Sequence, residues 1–232
     1  MRIATAAVLL AGVLPLAACG SAQPAGRPVA AHRARPAAVA SSPLRLTGLA
    51  QATAIARRTY RLEAHGPAAP ASVRRIGRDA VLLAALQAHD ARAIRAEALR
   101  QLFLPHYHVV RIRVLRGPRS LVDVGGRFVS AGAHAELRST SGRPLGRLEA
   151  SIQDVIGFVK LVHRRAGAQA VVRGTGGHVA TLLPAAANAR LPSAGRVRIG
   201  GRSYDVRSFR EIGFAGEPLR VWILAARDPA LS

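Results

Sequence analysis

Residues 142–167 read GRPLGRLEASIQDVIGFVKLVHRRAG, and within this stretch strand periodicity changes to helical periodicity. Residues 145–152 are predicted to be a strand, and apolar and polar residues alternate over 147–152 with the period of a half-buried β-strand. Asp154 then stands at the N-cap position of a helix over residues 155–165, and Gly167 is placed to end that helix. The apolar residues of this helix recur at helical spacing, so one side is expected to be buried. A strand joined directly to an amphipathic helix predicts a domain that contains both.

Short segments with strand periodicity, separated by turns rich in Gly and Pro, lie on both sides of this stretch. Neighbouring strands that are joined by such short turns pair in an antiparallel sheet. The predicted strands, in chain order, are residues 106–115, 120–124, 128–129, 134–139, 145–152, 170–174, 179–183, 196–199, 203–206 and 219–224.

The first half of the chain has helical rather than strand periodicity. One helix is predicted over residues 46–64, and a second begins near Ser72, whose hydroxyl can cap it, and continues to Leu86. Asp90 is the predicted N-cap of a further helix over residues 91–103. The sequence therefore predicts an α+β domain in which N-terminal helices pack on an antiparallel sheet of about five to seven strands, with one helix inserted between strands.

The N-terminus carries a targeting signal. An apolar run over residues 3–14 follows Arg2 and leads to LAAC at residues 16–19, which contains the only cysteine of the chain. This pattern resembles the signal of bacterial, actinobacterial-type lipoproteins, in which Cys19 would take a diacylglycerol and become the mature N-terminus. The resemblance implies a lipid-anchored protein on the extracytoplasmic face of the cell membrane. An ordinary secretory signal is the alternative, and the apolar run is too short to span a bilayer.

Three segments are predicted from this signal and from the composition behind it. Residues 1–18 form the signal peptide, and residues 19–44, rich in Ala, Pro and Arg, have no apolar period and are predicted to be a disordered linker. Residues 45–232 are expected to form a single domain. With no second cysteine, this domain has no internal disulfide and depends on packing for its stability.

The chain is strongly basic, with a formal net charge of +22 from 34 Lys and Arg against 12 Asp and Glu. Lys160 is the only lysine, and the abundance of Arg, Ala, Gly and Pro indicates a GC-rich coding bias. Such a bias explains Arg in place of Lys but leaves the scarcity of acidic residues unexplained. Attraction to anionic lipid headgroups or phosphate-bearing wall polymers is one interpretation, and a generally basic surface is the other. Nucleic acid is not an expected partner.

The sequence offers little support for catalysis or metal binding. It contains no G-x-S-x-G motif, and its Ser, His and Asp residues have no informative local arrangement. His106 and His108 share one face of a predicted strand but have no carboxylate or cysteine near them in sequence. GTGG at residues 174–177 lacks the Lys-Ser/Thr of a phosphate loop, and its place between two short strands favours a hairpin turn. We therefore expect no enzyme, no metal and no cofactor.

Two segments carry a family resemblance. Residues 142–154 are similar to the hairpin and following strand of extracytoplasmic Cache (PAS-like) sensor domains, and residues 111–126 resemble an earlier strand pair of such domains. The resemblance covers residues 45–227. It implies a sheet behind a long N-terminal helix, and a pocket between the sheet and its covering loops for small carboxylates or amino acids. It also implies a domain that presents ligand to a partner receptor or binds another envelope protein.

The resemblance places the ligand contacts on the matching strands and the adjoining helix. The predicted contacts are Arg111, Arg113, Asp123, Ser151, Asp154 and Lys160. A planar guanidinium fork suits a carboxylate or phosphate, and two arginines on one strand face are also typical of a solvated surface. Asp154 is alternatively interpreted as the N-cap of the helix. Lys160 is alternatively interpreted as a side chain that extends from the apolar stripe into water. The aromatic residues interpreted as core are Tyr107, Phe128, Phe158 and Trp222.

These observations favour a lipid-anchored extracytoplasmic binding module that recognises a small anionic ligand or a partner protein without catalysis. The alternative is a structural or adhesion lipoprotein that holds an anionic cell-envelope polymer by diffuse charge. Such binding would fall steeply with salt and would depend little on any single arginine. A hydrolase is a third hypothesis, which needs a cleft that joins His to Ser or Asp side chains distant in sequence.

Overall fold

The computed structural model describes residues 48–104 and 108–227. Cys19, the predicted linker, His106 and Tyr107 lie outside the described residues. The helices are α1 (Leu49–His65), α2 (Ala68–Ile76), α3 (Ala80–Gln87), α4 (Ala91–Phe103) and α5 (Val155–Ala166). The strands are β1 (Arg111–Arg116), β2 (Arg119–Gly125), β3 (Ala133–Arg138), β4 (Pro144–Ser151), β5 (Gln169–Arg173), β6 (Val179–Thr181), β7 (Ala194–Ile199), β8 (Arg202–Ile212) and β9 (Pro218–Ala226).

The described strands form two antiparallel sheets. Sheet 1 has the order β2-β1-β4-β3, and sheet 2 has the order β6-β5-β9-β8-β7. Helix α5 connects the last strand of sheet 1 to the first strand of sheet 2. The predicted α+β class is confirmed, with N-terminal helices and one helix inserted between strands, while the strands divide between two sheets where a single sheet was expected.

Sheet 1 is covered on one face by α2, α3 and α4. In β1, Ile112 and Val114 are fully buried in the core beneath these helices, whereas Arg111 and Arg113 are only partly buried. Leu148 of β4 is fully buried in the same core. We call the apolar side the inner face of sheet 1 and the charged side its outer face. The alternation seen in the sequence thus separates packing residues from charged residues, as expected for a strand.

Sheet 2 has apolar side chains on both faces. Its inner face packs against α5 and α1, and α1 contributes a row of residues four positions apart: Ala52, Ala56, Tyr60 and Ala64. Three of these are alanines, which allow the helix to approach closely. The outer face holds the nearly buried Trp222, and Leu183 and Leu191 pack on the same cluster. Sheet 2 therefore lies between α1 and α5 on one face and the segment that contains Leu183 and Leu191 on the other.

The caps of two helices were predicted correctly. Asp90 accepts hydrogen bonds from the backbone N–H groups of Arg92 and Ala93, both at 2.9 Å, at the start of α4. Asp154 accepts one from Gly157 at the start of α5. Gly167 follows α5 with φ of 63°, a left-handed conformation in which glycine carries no Cβ penalty.

The prediction of one helix from Ser72 to Leu86 is wrong. The structure divides this segment into α2 and α3, and α2 begins upstream of Ser72 at Ala68. The break occurs because the Asp79 side chain accepts the Leu82 backbone N–H at 2.9 Å and so caps a new helix. Pro70 does not stop α2, because it lies in the first turn, where backbone N–H groups have no partner within the helix.

Two of the predicted strands also differ from the structure. Residues 128–129 do not form a strand, and Val129 instead makes an isolated bridge with Asp154. The short strand expected over residues 203–206 lies near the start of β8, which continues to Ile212 because it pairs with β9 from Tyr204 onward. The local pattern missed the end of β8 because the partner strand, rather than periodicity, determines it.

Tyr60 joins α1 to both halves of the chain. Its hydroxyl donates to the carbonyl oxygen of Ile212 at 2.8 Å and accepts the backbone N–H of Ala131 at 3.2 Å. The ring packs edge-on against Phe158, with centroids 5.3 Å apart. Burial raises the pKa of Tyr60 from 10.0 to about 12, and the hydrogen bond from Ala131 offsets part of that rise.

This pKa predicts a loss of stability at alkaline pH. The pKa of Tyr60 is higher in the folded chain than in the unfolded chain, so its contribution is complete below about pH 10 and is lost as pH rises through about 12. We expect the free energy of unfolding in urea to fall over this range, and to fall less in Tyr60→Phe. An equal alkaline fall in both proteins would show that another group titrates.

Candidate functional site

Arg111, the first of the predicted ligand contacts, has hydrogen-bond partners within the protein. Arg111 forms a bidentate pair with Asp123, with Nε to Oδ1 at 2.8 Å and Nη2 to Oδ2 at 2.9 Å. Its Nη1 donates to the carbonyl oxygen of Arg127, and its guanidinium carbon lies 4.9 Å from the centroid of the Phe214 ring. The hydrogen bonds to Asp123 raise the pKa of Arg111 above its ordinary value. Arg111 and Asp123 therefore satisfy each other.

Four of the predicted contacts occupy neighbouring positions on the outer face of sheet 1, since Arg111 pairs in register with Ser151 and Arg113 with Asp123. Asp154 and Lys160 lie apart from them, at the start of α5 and on it. Ser151 is fully buried, and its Oγ donates to the carbonyl oxygen of Ser130 at 3.0 Å. Asp154 caps α5, the rival role that its sequence position indicated. Lys160 is exposed on α5 and lines a separate surface groove. The structure does not bring the six predicted residues together into one site.

Arg113 lines a cleft between the outer face of sheet 1 and the loop that joins β8 to β9. The volume of this cleft, which we call the inter-sheet cleft, is about 380 Å³. Its polar side chains come from sheet 1, and its opposite wall is backbone and small or apolar residues. The lining residues are Arg113, Ala131, Gly132, Ala133, His134, Arg147, Glu149, Ile212, Gly213, Phe214, Ala215 and Gly216.

The register of sheet 1 places the polar residues of the cleft side by side. Arg113 on β1 pairs with Glu149 on β4, and Glu149 pairs with His134 on β3. Side chains that are directly opposite on neighbouring antiparallel strands lie on the same face of a sheet. Three side chains of different charge character, distant in sequence, thus form one row across the outer face.

Glu149 is shared between two arginines. Arg147 Nη2 lies 3.0 Å from Glu149 Oε1, whereas Arg113 Nη1 is 3.7 Å from Oε2. The Nε of Arg113 is buried and has no hydrogen-bond partner in the described structure. A buried donor without a partner is costly, and guanidinium N–H groups suit a carboxylate. The cleft therefore offers donors for an anion at Arg113 and an acceptor for a cation at Glu149.

Glycine allows the wall of the cleft to approach β4. A Cβ on Gly132 would collide with the backbone carbonyl of Ala150, so no other residue fits there without a backbone shift. On the opposite wall, the Gly213 N–H donates to the carbonyl oxygen of Glu217 at 2.6 Å and fixes the loop after β8. Arg111 supports the same loop through Phe214. The predicted residue Arg111 thus shapes the wall of the cleft and does not line it.

Sequence reasoning missed His134, Arg147 and Glu149. Their positions on β3 and β4 were predicted to be strand, but the pairing of β4 with β1 determines which residue faces Arg113. The alternation of charged and apolar residues in β4 was the available signal, since Arg147 and Glu149 flank the fully buried Leu148. The alternation shows that Arg147 and Glu149 share one face of β4, but it does not show which strand lies beside β4.

Apolar side chains fill the core between each sheet and the helices that cover it. Phe158 and Val172 are fully buried between sheet 2 and its helices, and Ile112 and Leu148 are fully buried beneath the helices of sheet 1. Phe158 and Trp222 are core residues, as predicted, and Phe128 is partly buried and stacks on His178. The cleft beside Arg113 therefore lies outside these two cores.

No protein-family model matches the chain, and no curated protein matches it. Among solved structures, two crystal structures of the periplasmic domain of Vibrio cholerae LuxQ match with TM-scores of 0.52 and 0.51 and identities of 11% and 12%. These alignments cover 77% of this chain and 99% and 98% of the LuxQ chains. The chain has a Cache/PAS-like α+β fold.

A weaker likeness is found to the ligand-binding domain of the Pseudomonas fluorescens chemoreceptor CtaA in complex with L-alanine. It has a TM-score of 0.40 and 8% identity, and it covers 79% of this chain and 99% of that chain. Within residues 48–104 and 108–227 of the Cache/PAS-like fold, every helix falls short of the apolar length needed to cross a bilayer. The same described residues contain no group of three His, Cys, Asp or Glu side chains placed to bind a metal ion.

Proposed function

We propose that this chain is a lipid-anchored, extracytoplasmic binding module that recognises a small carboxylate or amino acid in the inter-sheet cleft, without catalysis. The observation that carries the proposal is the geometry of Arg113. Arg113 lines the cleft, and its Nε is buried with no hydrogen-bond partner among the described residues. Its Nη1 lies 3.7 Å from Oε2 of Glu149. A ligand carboxylate would supply the missing acceptor.

The other residues of the cleft suit the same ligand class. Glu149 can accept a hydrogen bond from a ligand ammonium group, and the His134 ring stands beside it in the register of sheet 1. A volume of about 380 Å³ has room for a small metabolite. The fold shared with the periplasmic domain of LuxQ supports an extracytoplasmic setting, as does the lipoprotein-like signal that ends at Cys19.

Of the six ligand contacts predicted from the sequence, we retain Arg113. The proposed partners are the membrane, through the diacylglycerol on Cys19, and a receptor or envelope protein that responds to the liganded module. No step of the proposal breaks or forms a covalent bond in the ligand. Binding of the ligand would rearrange the ion pairs of Glu149 with Arg113 and Arg147, and a sensor needs no further chemistry.

A thermal-shift screen of the purified chain against small carboxylates and amino acids tests the proposal. A ligand present at 100 times its dissociation constant stabilises the folded state by about 2.7 kcal/mol, which is readily detected. We expect Arg113→Gln to weaken binding of the best compound by roughly 10- to 100-fold, because a hydrogen-bonded charge contact is lost. Arg119→Gln is the matched control, since Arg119 is exposed on the same sheet and does not line the cleft.

Two results would contradict the proposal. One is a complete screen in which no compound raises the melting temperature, which would favour a protein partner as the only ligand. The other is a compound whose affinity falls equally in Arg113→Gln and Arg119→Gln, because a uniform loss indicates attraction by net charge rather than a contact in the cleft.

A further inference from the structure

A second cationic feature lies on the outer face of sheet 2. Arg220 of β9 pairs in register with Arg173 of β5 on one side and with Arg210 of β8 on the other. Neighbouring strands are about 4.8 Å apart, so the three Cα atoms span about 10 Å along one line across the sheet. We call these residues the arginine row. Like charges placed directly opposite each other destabilise a sheet, so the row needs an explanation.

No acidic side chain compensates the row within the part of the chain that the structure describes. The acidic residues of the sheet 2 segment are Asp205, Glu211 and Glu217. Asp205 pairs with Arg196 and Arg227. Glu211 alternates with Arg210 along β8 and therefore faces α1 on the inner side. Glu217 accepts hydrogen bonds from the N–H and hydroxyl of Thr175, at 2.9 and 3.0 Å.

The row is held in place by its surroundings. Arg173 Nη2 donates to the carbonyl oxygens of Ala186, Ala187 and Ala189, the shortest at 2.6 Å. The guanidinium carbons of Arg173 and Arg220 lie 5.2 and 5.1 Å from the centroid of the Trp222 ring, a cation–π arrangement. Arg210 and Arg220 are exposed. The fold therefore fixes one end of the row and presents the other two cations to solvent.

We propose that the arginine row is a binding site for a linear phosphodiester polymer, with successive phosphates contacting Arg220 and Arg210. Guanidinium groups bind phosphate oxygens in bidentate fashion, and an anion relieves the repulsion within the row. One phosphate can bridge only neighbouring arginines, which are about 4.8 Å apart, whereas a chain with repeated anionic groups can follow the whole row of about 10 Å. The site is separate from the inter-sheet cleft, so it does not depend on the function proposed above.

The proposal differs from attraction by diffuse charge because it assigns the binding to particular residues. The test measures fluorescence anisotropy of an end-labelled synthetic poly(glycerol phosphate) with the full chain at several salt concentrations. The double variant Arg210→Gln with Arg220→Gln is compared with Arg198→Gln and Arg202→Gln, which removes two exposed arginines from the β7–β8 hairpin of the same sheet. Both variants lower the net charge by the same amount.

We expect the row variant to weaken polymer binding at least about 10-fold and to reduce the slope of log affinity against log salt by about 1.5, since two phosphate contacts are lost, with little change in the control variant. The melting temperature of the row variant without polymer measures the balance between the repulsion that is removed and the contact of Arg220 with Trp222 that is lost. Arg113→Gln should bind the polymer normally, which separates this test from the test of the cleft.

Several outcomes would overturn the proposal. Equal weakening in the two double variants would show that the general basic surface binds the polymer. Full competition by inorganic phosphate at the same phosphate concentration would indicate a single-phosphate site. Binding of phosphatidylglycerol vesicles that is lost in the row variant, with polymer binding retained, would assign the row to a membrane surface.

Discussion

Replacing Phe158 by Ala is expected to lower the free energy of unfolding by about 3–5 kcal/mol, the usual range for removing a fully buried aromatic ring. Phe158 is fully buried on α5, the helix that joins the two sheets, and its ring packs against Tyr60 of α1. The substitution leaves a cavity at the junction of α1, α5 and sheet 2. Urea denaturation monitored by far-UV circular dichroism measures the effect.

Phe103 supplies a control of the same chemistry. It is 82% exposed at the end of α4, so Phe103→Ala should change the free energy of unfolding by less than about 0.5 kcal/mol. Comparable losses in the two variants would contradict the packing described for sheet 2. A loss below about 1 kcal/mol in Phe158→Ala would mean that α5 is not the centre of that core.

Replacing Cys19 by Ala is expected to release the protein from the membrane. Under the proposed function, two acyl chains on this residue hold the chain at the bilayer, and each buried methylene contributes about 0.8 kcal/mol. Without the thiol no lipid can be attached, so nearly all of the protein should move from the membrane fraction to the soluble fraction. Fractionation of bacteria that express each protein, followed by immunoblotting, measures the distribution.

A control in the predicted linker completes this experiment. Ser41→Ala leaves Cys19 and the apolar run unchanged, and should remain with the membrane. Mass spectrometry of the wild-type N-terminus should find a diacylglycerol on Cys19 and no residues before it. Wild-type protein in the soluble fraction, or an intact leader, would favour the ordinary secretory signal and would remove the lipid anchor from the proposal.

Local chemistry made several elements predictable from sequence. Helix α5 combines an apolar stripe, a side-chain cap at Asp154 and a left-handed glycine at Gly167, and each acts within a few residues. Helix α4 with its cap at Asp90 is a second case. One continuous helix was predicted in place of α2 and α3 because the apolar spacing continues across Asp79, which caps the start of α3.

The division of the strands between two sheets could not be predicted in this way. β1 alternates between buried and partly buried residues, whereas β5 and β9 have consecutive buried residues, and neither pattern says which strand will be the neighbour. β1 lies between β2 and β4, while β5 pairs with β9 at the far end of the chain. Such pairings depend on contacts between segments distant in sequence, which a local pattern does not contain.

The candidate site shows the same division. The alternation in β1 correctly placed Arg111 and Arg113 on a charged face, but it could not distinguish their roles. Asp123 lies opposite Arg113 in the pairing of β1 with β2 but forms its bidentate pair diagonally with Arg111. The Nε of Arg113 has no hydrogen-bond partner among the described residues. Identical residues two positions apart thus differ because of their neighbours on other strands.

The most direct test of the ligand site is an NMR titration of the ¹⁵N-labelled chain with the compound that gives the largest thermal stabilisation. We expect saturable shifts that are largest for the backbone amides of Arg113, Gly132 and residues 212–216, which line the inter-sheet cleft. Shifts centred on Trp222 and the outer face of sheet 2, with those amides unchanged, would contradict it.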